Sequence, residues 1–244
     1  LAAALLLAAP AWAAAAPQSE RRLMTADEQQ SWQAIGRINA GGQGFCTGTL
    51  ITDQLVITAA HCVVNRRTGR VWRPTSIHFV AGFRKGGFAA HRVATHVAVV
   101  DEEMPLRPDG KASLALAAGD MAVLKLARPI TRDEVIPLPL ADPGAVREIV
   151  RILSYGRDRP QALSIEPACL ITQRRGELLF TKCEATPGVS GAPLIRLGPD
   201  GGRDGAAVLG VVSLMWGGNG ALGTGYAVAV AADRLAPRLI EDME

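Results

Sequence analysis

The sequence predicts an all-β protein, on three observations. Between Ile35 and Val230 the chain is a succession of short runs rich in β-branched and aliphatic residues, broken by Gly, Pro, Asp and Asn, as in sandwiches and barrels. No helical periodicity is sustained before the C-terminus. A stretch with three prolines and one glycine, Pro137 to Val146, divides the β-rich sequence into two halves.

In the first half the clearest strand candidates are Thr47 to Leu50, Leu55 to Thr58, Ser76 to Ala81, Arg92 to Val100 and Met121 to Leu126. In the second they are Glu148 to Ser154, Ala168 to Thr172, Leu178 to Lys182, Ala192 to Arg196, Val208 to Met215 and Gly225 to Val230. Gly198 to Gly205 reads as a flexible hairpin tip, and Ala231 to Met243 as a helix limited or kinked by Pro237. The organisation predicted is a signal at 1–16, a lead-in at 17–33 whose polar part, Pro17 to Gln30, reads as mobile, a first β unit at 34–140, and a second at 141–244 with the C-terminal helix.

At 244 residues, 48% of them apolar, the chain is long enough to bury a sizeable core. Its net charge of +3 is scattered, whereas nucleic-acid binding calls for a basic face or run, so no nucleic-acid partner is expected. The opening LAAALLLAAPAWAAAA is uncharged and reads as the apolar region and cleavage zone of an N-terminally trimmed secretory signal, with Ala11-Trp12-Ala13 fitting the small-x-small rule. It is short, and Pro10 interrupts it, which argues against a membrane span. The expectation is a secreted or periplasmic protein with no stable membrane association after signal removal.

Four cysteines suit an oxidising compartment. They fall as two local pairs, Cys46 with Cys62 and Cys169 with Cys183, each closing a loop of about 15 residues, for which chain entropy gives roughly 3 kcal/mol. Metal binding is the competing reading, and the absence of a CxxC knuckle beside the histidines favours disulfides. His78, His91 and His96 show no metal-ligand spacing and read as ordinary surface or core histidines. No metal and no cofactor are expected.

Three strings carry chemistry: FCTGTLITDQLVITAAHC from Phe45 to Cys62, GDMAVLKL from Gly119 to Leu126, and TPGVSGAPL from Thr186 to Leu194. They supply His61, Asp120 and Ser190 in that order. A serine hydroxyl needs a base to become a nucleophile at neutral pH, and an imidazole can both take the proton and return it to a leaving amine. A buried carboxylate fixes the tautomer of that imidazole. Glycines around Ser190 let backbone N–H groups converge on a developing oxyanion. The order is opposite to the Ser, Asp, His sequence of α/β-hydrolases, and Ala192 stands where their second elbow glycine would be.

On these strings the chain resembles the chymotrypsin/trypsin-like serine peptidases over roughly Ile35 to Val230. TAAHC with the upstream CTGTLI is similar to the family's histidine motif, GDMAVLKL to its aspartate strand, and PGVSGAPL to GDSGGP, with Val189 and Ala192 substituted. The resemblance implies two antiparallel six-stranded β-barrels with the site in the cleft between them, a short C-terminal helix, and endopeptidase action on protein or peptide substrates. By carry-over, His61, Asp120 and Ser190 are the triad, the amides of Gly188 and Ser190 the oxyanion hole, and Cys46–Cys62 the brace of the histidine loop. Ser213 to Gly217 (SLMWG) is similar to the strand that pairs with the substrate backbone, with one added residue at Leu214-Met215. Glu184, six residues before Ser190, matches the position of the carboxylate that selects a basic P1 side chain, or it is simply a solvated loop residue.

Val189 replaces the aspartate that pairs with the new N-terminus in trypsin-like zymogens, and no activation site directly precedes Ala34-Ile35-Gly36-Arg37. Activity independent of a cut before Ile35 is therefore expected. In lacking that aspartate the chain is similar to the bacterial glutamyl-endopeptidase group around Cys183 to Pro193, although no histidine lies near Ser213 as in that group. The alternative is a protease-like binding protein without catalysis.

Overall fold

The structure, a computed structural model, describes residues 21–42, 44–101, 113–144, 147–217 and 225–243. The signal expected at 1–16 lies outside them. The first half supplies β1 (Arg22–Leu23), α1 (Ala26–Gln30), β2 (Ile35–Ala40), β3 (Phe45–Leu50), β4 (Leu55–Thr58), β5 (Ile77–Ala81), β6 (Ala90–Val99), α2 (Leu114–Ala117) and β7 (Ala122–Leu126). The second supplies β8 (Ile149–Ser154), β9 (Ser164–Arg175), β10 (Leu178–Ala185), β11 (Pro193–Arg196), β12 (Ala207–Trp216), β13 (Gly225–Ala231) and α3 (Ala232–Glu241).

The architecture is two closed six-stranded antiparallel barrels. The first runs β2-β3-β4-β7-β6-β5. The second runs β9-β10-β13-β12-β11-β8 and closes through β8 against β9, with β1 added on the outer edge of β9. Alternation explains the inward faces: in β5, Ile77, Phe79 and Ala81 are buried while His78 and Val80 are half-exposed. Closure leaves neither sheet a long unpaired edge.

Two apolar seams join the barrels. One carries the core of the first barrel on to Leu153, Tyr155, Leu163, Ile195 and Val208 of the second. The other packs Ile57, Met121 and Val123 against Val211, Val228 and Val230, and is covered by Leu235 and Leu239 of α3. That helix keeps Pro237 in its interior and stops at Glu241, two residues short of the span expected. The central Pro-rich stretch is strapped down, with Leu138 N–H donating to Leu50 O (2.9 Å) and Ala141 N–H to Val208 O (2.9 Å).

Two parts of the fold differ from the sequence expectation. The described part of the lead-in, from Arg21 to Gln30, is docked rather than mobile. Gln29 is buried, its amide donating to Phe83 O (2.9 Å) and accepting from Arg84 (2.9 Å) and Leu163 N–H (3.2 Å), with Met24 and Trp32 buried beside it. A polar residue whose hydrogen bonds are all met can sit in a core, and composition alone does not reveal that. The strand β2 is also one that apolar patterning does not pick out, because Arg37 and Asn39 interrupt it. The Arg37 guanidinium lies over the rings of Phe45 (4.1 Å) and Phe83 (4.7 Å), which makes an interior-edge cation tolerable.

Candidate active site

β4 delivers Thr58 to the rim of the first barrel, and a single tight turn, Ala60–Cys62, carries His61 into the cleft. The turn is fastened by the Cys46–Cys62 disulfide to β3. β7, paired to β4, starts two residues after Asp120, so both residues emerge at the same end of neighbouring strands. One carboxylate then holds the histidine twice. Asp120 Oδ1 accepts from the His61 backbone N–H at 2.8 Å, and Oδ2 from the ring Nδ1 at 2.7 Å. Since a carboxylate only accepts, Nδ1 carries the hydrogen and Nε2 is left as the basic lone pair.

Asp120 is 5% exposed. Burial alone would raise its carboxyl. The positive field and ring bond of His61, the Ser213 hydroxyl and the His61 N–H outweigh that and hold it below the ordinary carboxylate range.

Ser213 belongs to the other barrel. The β12–β13 register shifts between Val212 and Leu214, so the extra residue noted in SLMWG is absorbed as a bulge centred on Ser213. The bulge turns the Ser213 side chain toward the first barrel, where its hydroxyl donates to Asp120 Oδ2 at 2.5 Å. Sequence reading places Ser213 on a substrate strand and misses this bond. The added residue before Trp216 is the one signal that could have revealed it.

Ser190 lies in the turn between β10 and β11 and is held by backbone bonds, one from across the cleft and one to its own barrel. Thr47 N–H of β3 donates to Ser190 O (2.9 Å), and Gly191 N–H donates to Val212 O (2.8 Å). Gly191 has φ +76°, and a Cβ there would run into Thr47 O and Thr58 Oγ1, so only glycine allows this approach of the two barrels. The Ser190 hydroxyl is half-buried and carries no hydrogen bond among the described residues, a common state of such serines before substrate arrives.

The peptide before Gly188 is fixed in direction. Arg157 N–H donates to Pro187 O at 3.0 Å, and in a planar trans peptide the Gly188 N–H then points the opposite way. Val189, where an acid would stand in a zymogen-type enzyme, is buried with Cys183, Ala185 and Ala192 in the core of the second barrel. Its N–H donates to Thr186 O (3.3 Å) and its carbonyl accepts from Ala192 N–H (3.0 Å). Apolar burial and a backbone turn thus hold this segment without an ion pair. Arg157 is a residue that sequence reading had no pattern to find.

Glu184 is half-buried on β10, opposite Tyr226 of β13, on the strand face away from Cys183 and Ala185. Gly217 follows the end of β12 with φ +63°, beside exposed Trp216. The second disulfide, Cys169–Cys183, ties β9 to β10 in the core of the second barrel. His78 and His91 stack on the outside of the first barrel with ring nitrogens 2.9 Å apart, and His96 Nδ1 lies 3.1 Å from Thr95 Oγ1. The cluster Cys46, His61 and Cys62 is compact enough for a cation, but its sulfurs are joined and offer no thiolate.

A family model described as Trypsin matches residues 23–239. Serine protease 23 of Bos taurus is 29% identical over 164 residues, covering 60% of this chain and 42% of that protein, so the chain spans less than half the length of this curated relative. A solved structure of Glu endopeptidase in complex with MPD matches with a TM-score of 0.70 over 93% of this chain and 97% of that one, at 18% identity, a likeness of fold.

Proposed function

The chain belongs to the trypsin family, and on that premise we propose that it is a secreted serine endopeptidase acting through His61, Asp120 and Ser190. The observation that carries this reading is the chain of contacts from Ser213 through Asp120 to His61, which leaves Nε2 of His61 as the base in a cleft shared with Ser190.

In this reading Ser190 Oγ attacks the carbonyl carbon of a peptide substrate while His61 Nε2 takes its proton. The carbonyl oxygen becomes an oxyanion received by the N–H groups of Gly188 and Ser190, whose directions are set before substrate binds. The imidazolium, stabilised by the Asp120 carboxylate, gives its proton to the leaving amine. Water then repeats the sequence on the acyl-enzyme and releases the acid. The end of β12, Ser213 to Gly217, borders the acyl side of the substrate. Glu184 gives a mild preference for a basic P1 residue.

Activity in this reading does not wait for a cut before Ile35. That residue is fully buried, its N–H donates to Trp32 O (2.9 Å), and it pairs with Thr49 inside the first barrel. An ammonium created there would be a buried charge without a partner.

Fluorophosphonate labelling of the parent and of Ser190→Ala and His61→Ala tests the proposal. Labelling of the parent that both substitutions abolish is expected. A folded parent that stays unlabelled would instead favour a binding protein built on a peptidase fold. A fluorogenic panel comparing Lys/Arg with other P1 residues, repeated with Glu184→Gln, tests the P1 assignment.

A further inference from the structure

On the flank of His61 that faces the Cys46–Cys62 disulfide there is a small cleft lined by Phe45, Cys62, Trp72, Arg66 and Arg157 as well as His61 itself. The two arginines reach it from opposite barrels. Arg66 comes from the loop that follows the His61 turn, where Val64 bridges to Val71. Arg157 comes from the turn after β8, and its stem lies against Gly188: a Cβ built on that glycine would be 3.0 Å from Arg157 Cγ.

Neither guanidinium has an ion pair or a side-chain hydrogen bond among the described residues. The carboxylate next to Arg157 in sequence, Asp158, is already engaged by Arg21 (2.8 Å) and Arg159 (3.4 Å). Among the described residues, no acidic side chain lines the cleft. Two permanently charged guanidinium side chains, without a carboxylate partner among the described residues, therefore line a groove that the disulfide and aromatic rings also line.

We propose that this cleft is a leaving-group subsite for acidic side chains, so that the enzyme prefers peptides with Asp or Glu at the first or second position after the scissile bond. The inference rests on the catalytic reading above. The acyl portion lies toward β12, on the side where Asp120 meets Ser213, and the leaving amine departs past His61 into the cleft that Arg66 and Arg157 bracket. A guanidinium presents paired N–H donors that match a carboxylate, and here that match requires no rearrangement of an existing ion pair. Because the groups are exposed, the attraction is partly screened, and its signature is salt dependence.

Three internally quenched peptides with Arg before the scissile bond, identical except for Asp-Asp, Asn-Asn or Lys-Lys after it, test the subsite. At low ionic strength kcat/KM should favour Asp-Asp over Asn-Asn by about tenfold, with Lys-Lys poorest, and the ratio should shrink as salt is added. Arg66→Gln combined with Arg157→Gln should bring the Asp-Asp to Asn-Asn ratio close to one, and Arg66→Glu combined with Arg157→Glu should favour Lys-Lys. Arg128→Gln, which removes an exposed arginine at the end of β7 away from Asp120, should keep the parental ratio. Equal cleavage of all three peptides, or a ratio untouched by the double substitution, overturns the proposal while leaving the catalytic reading in place. Fluorescence anisotropy of the same peptides on Ser190→Ala reads the subsite without turnover. Arginine-dependent binding of Asp-Asp there, with a parent that cleaves nothing, would sink the catalytic reading and keep the acidic subsite. Equal binding of Asp-Asp and Lys-Lys would sink the subsite.

Discussion

In the first barrel the strand pairings run without a slip except between β6 and β7, at Ala94–His96. In the second, register shifts interrupt the pairings of β8 with β9, β9 with β10, β10 with β13, β11 with β12, and β12 with β13. The candidate site divides along the same line. His61 and Asp120 stand at the ends of regular neighbouring strands and hold each other directly. Ser190, Gly188 and Ser213 stand on turns and a bulge, and the segment around Ser190 is held by backbone bonds, one of them donated across the cleft by Thr47 of the first barrel. A bulge disrupts the ladder locally and re-aims a side chain, which is how Ser213 reaches Asp120. Regularity thus fixes the His61–Asp120 pair, and turns and a bulge set the segments on which the proposed oxyanion donors and Ser213 stand.

The largest predicted effect breaks the first barrel's half. Asp120→Asn keeps the volume but offers an NH2 where Oδ2 accepts, so Nδ1 can no longer be held as the donor, and kcat should fall by about 10⁴-fold with the fold intact by circular dichroism. Acid unfolding should change as well. The Asp120 carboxyl is depressed in the folded state, so its contribution to stability is present above its unfolded value near 3.9 and is lost as pH falls through the folded value. In the Asn variant that part of the acid dependence should be missing. An unchanged acid profile would mean that the carboxylate is not favoured by its surroundings.

The corresponding break in the second barrel is Gly188→Ala. The glycine has φ +98°, and the added Cβ would sit 2.6 Å from Arg157 N, the atom that fixes the Pro187 carbonyl. The peptide must turn to relieve this contact, taking the Gly188 N–H with it. Loss of one oxyanion donor typically costs about 100- to 1,000-fold in kcat. Retained kcat with altered stability only would mean that this N–H does not serve the reaction.

The disulfides sharpen the comparison. Their sequence separations, 16 for Cys46–Cys62 and 14 for Cys169–Cys183, predict similar losses on paired Cys→Ser replacement, roughly 3 kcal/mol each. Their effects on turnover should differ. The first fastens the His61 turn, so its removal should lower both Tm and kcat. The second lies in the core between β9 and β10, so its removal should lower Tm with a smaller effect on kcat. Equal effects on kcat would argue that the barrels do not divide the work as proposed.

The uneven legibility of the sequence follows from the same division. Strands of the first barrel such as Leu55–Thr58 coincide with the apolar run that predicts them, because this strand is buried on both faces, Val56 in the first barrel's core and Ile57 in the seam against the second. In the second barrel β9 extends from Ser164 to Arg175, well beyond the expected Ala168 to Thr172, since polar residues such as Ser164, Glu166, Gln173, Arg174 and Arg175 interrupt the apolar pattern at its ends while the backbone pairing continues. The histidine and serine motifs were readable because tight turns demand particular residues. Arg157, Thr47 and the hydroxyl bond of Ser213 were not, because each acts through a backbone group or a bulge with no residue pattern of its own.

The smallest predicted effect concerns the strap that touches both barrels. The helix α1 opens with a reciprocal cap: Thr25 Oγ1 accepts from Glu28 N–H (3.2 Å) and the Glu28 carboxylate accepts from Thr25 N–H (2.8 Å). Arg22 also binds Glu28, and these contacts lower the Glu28 carboxyl to about 2. The cap sets the helix that carries Gln29, which bonds to Phe83 O of the first barrel and Leu163 N–H of the second. Thr25→Ala removes a cap worth about 1 kcal/mol, which for a chain of this size corresponds to roughly 2–4 °C in Tm. Gln29→Leu removes the bonds to both barrels and takes from the Leu163 N–H its side-chain acceptor, while Phe83 O keeps the Tyr155 hydroxyl (2.8 Å), and its cost should exceed that of the cap. If Thr25→Ala proved the more damaging of the two by thermal unfolding, the segment would be held by its own helix rather than by bridging the barrels, and the barrels would depend on each other only through their apolar seams and the cleft.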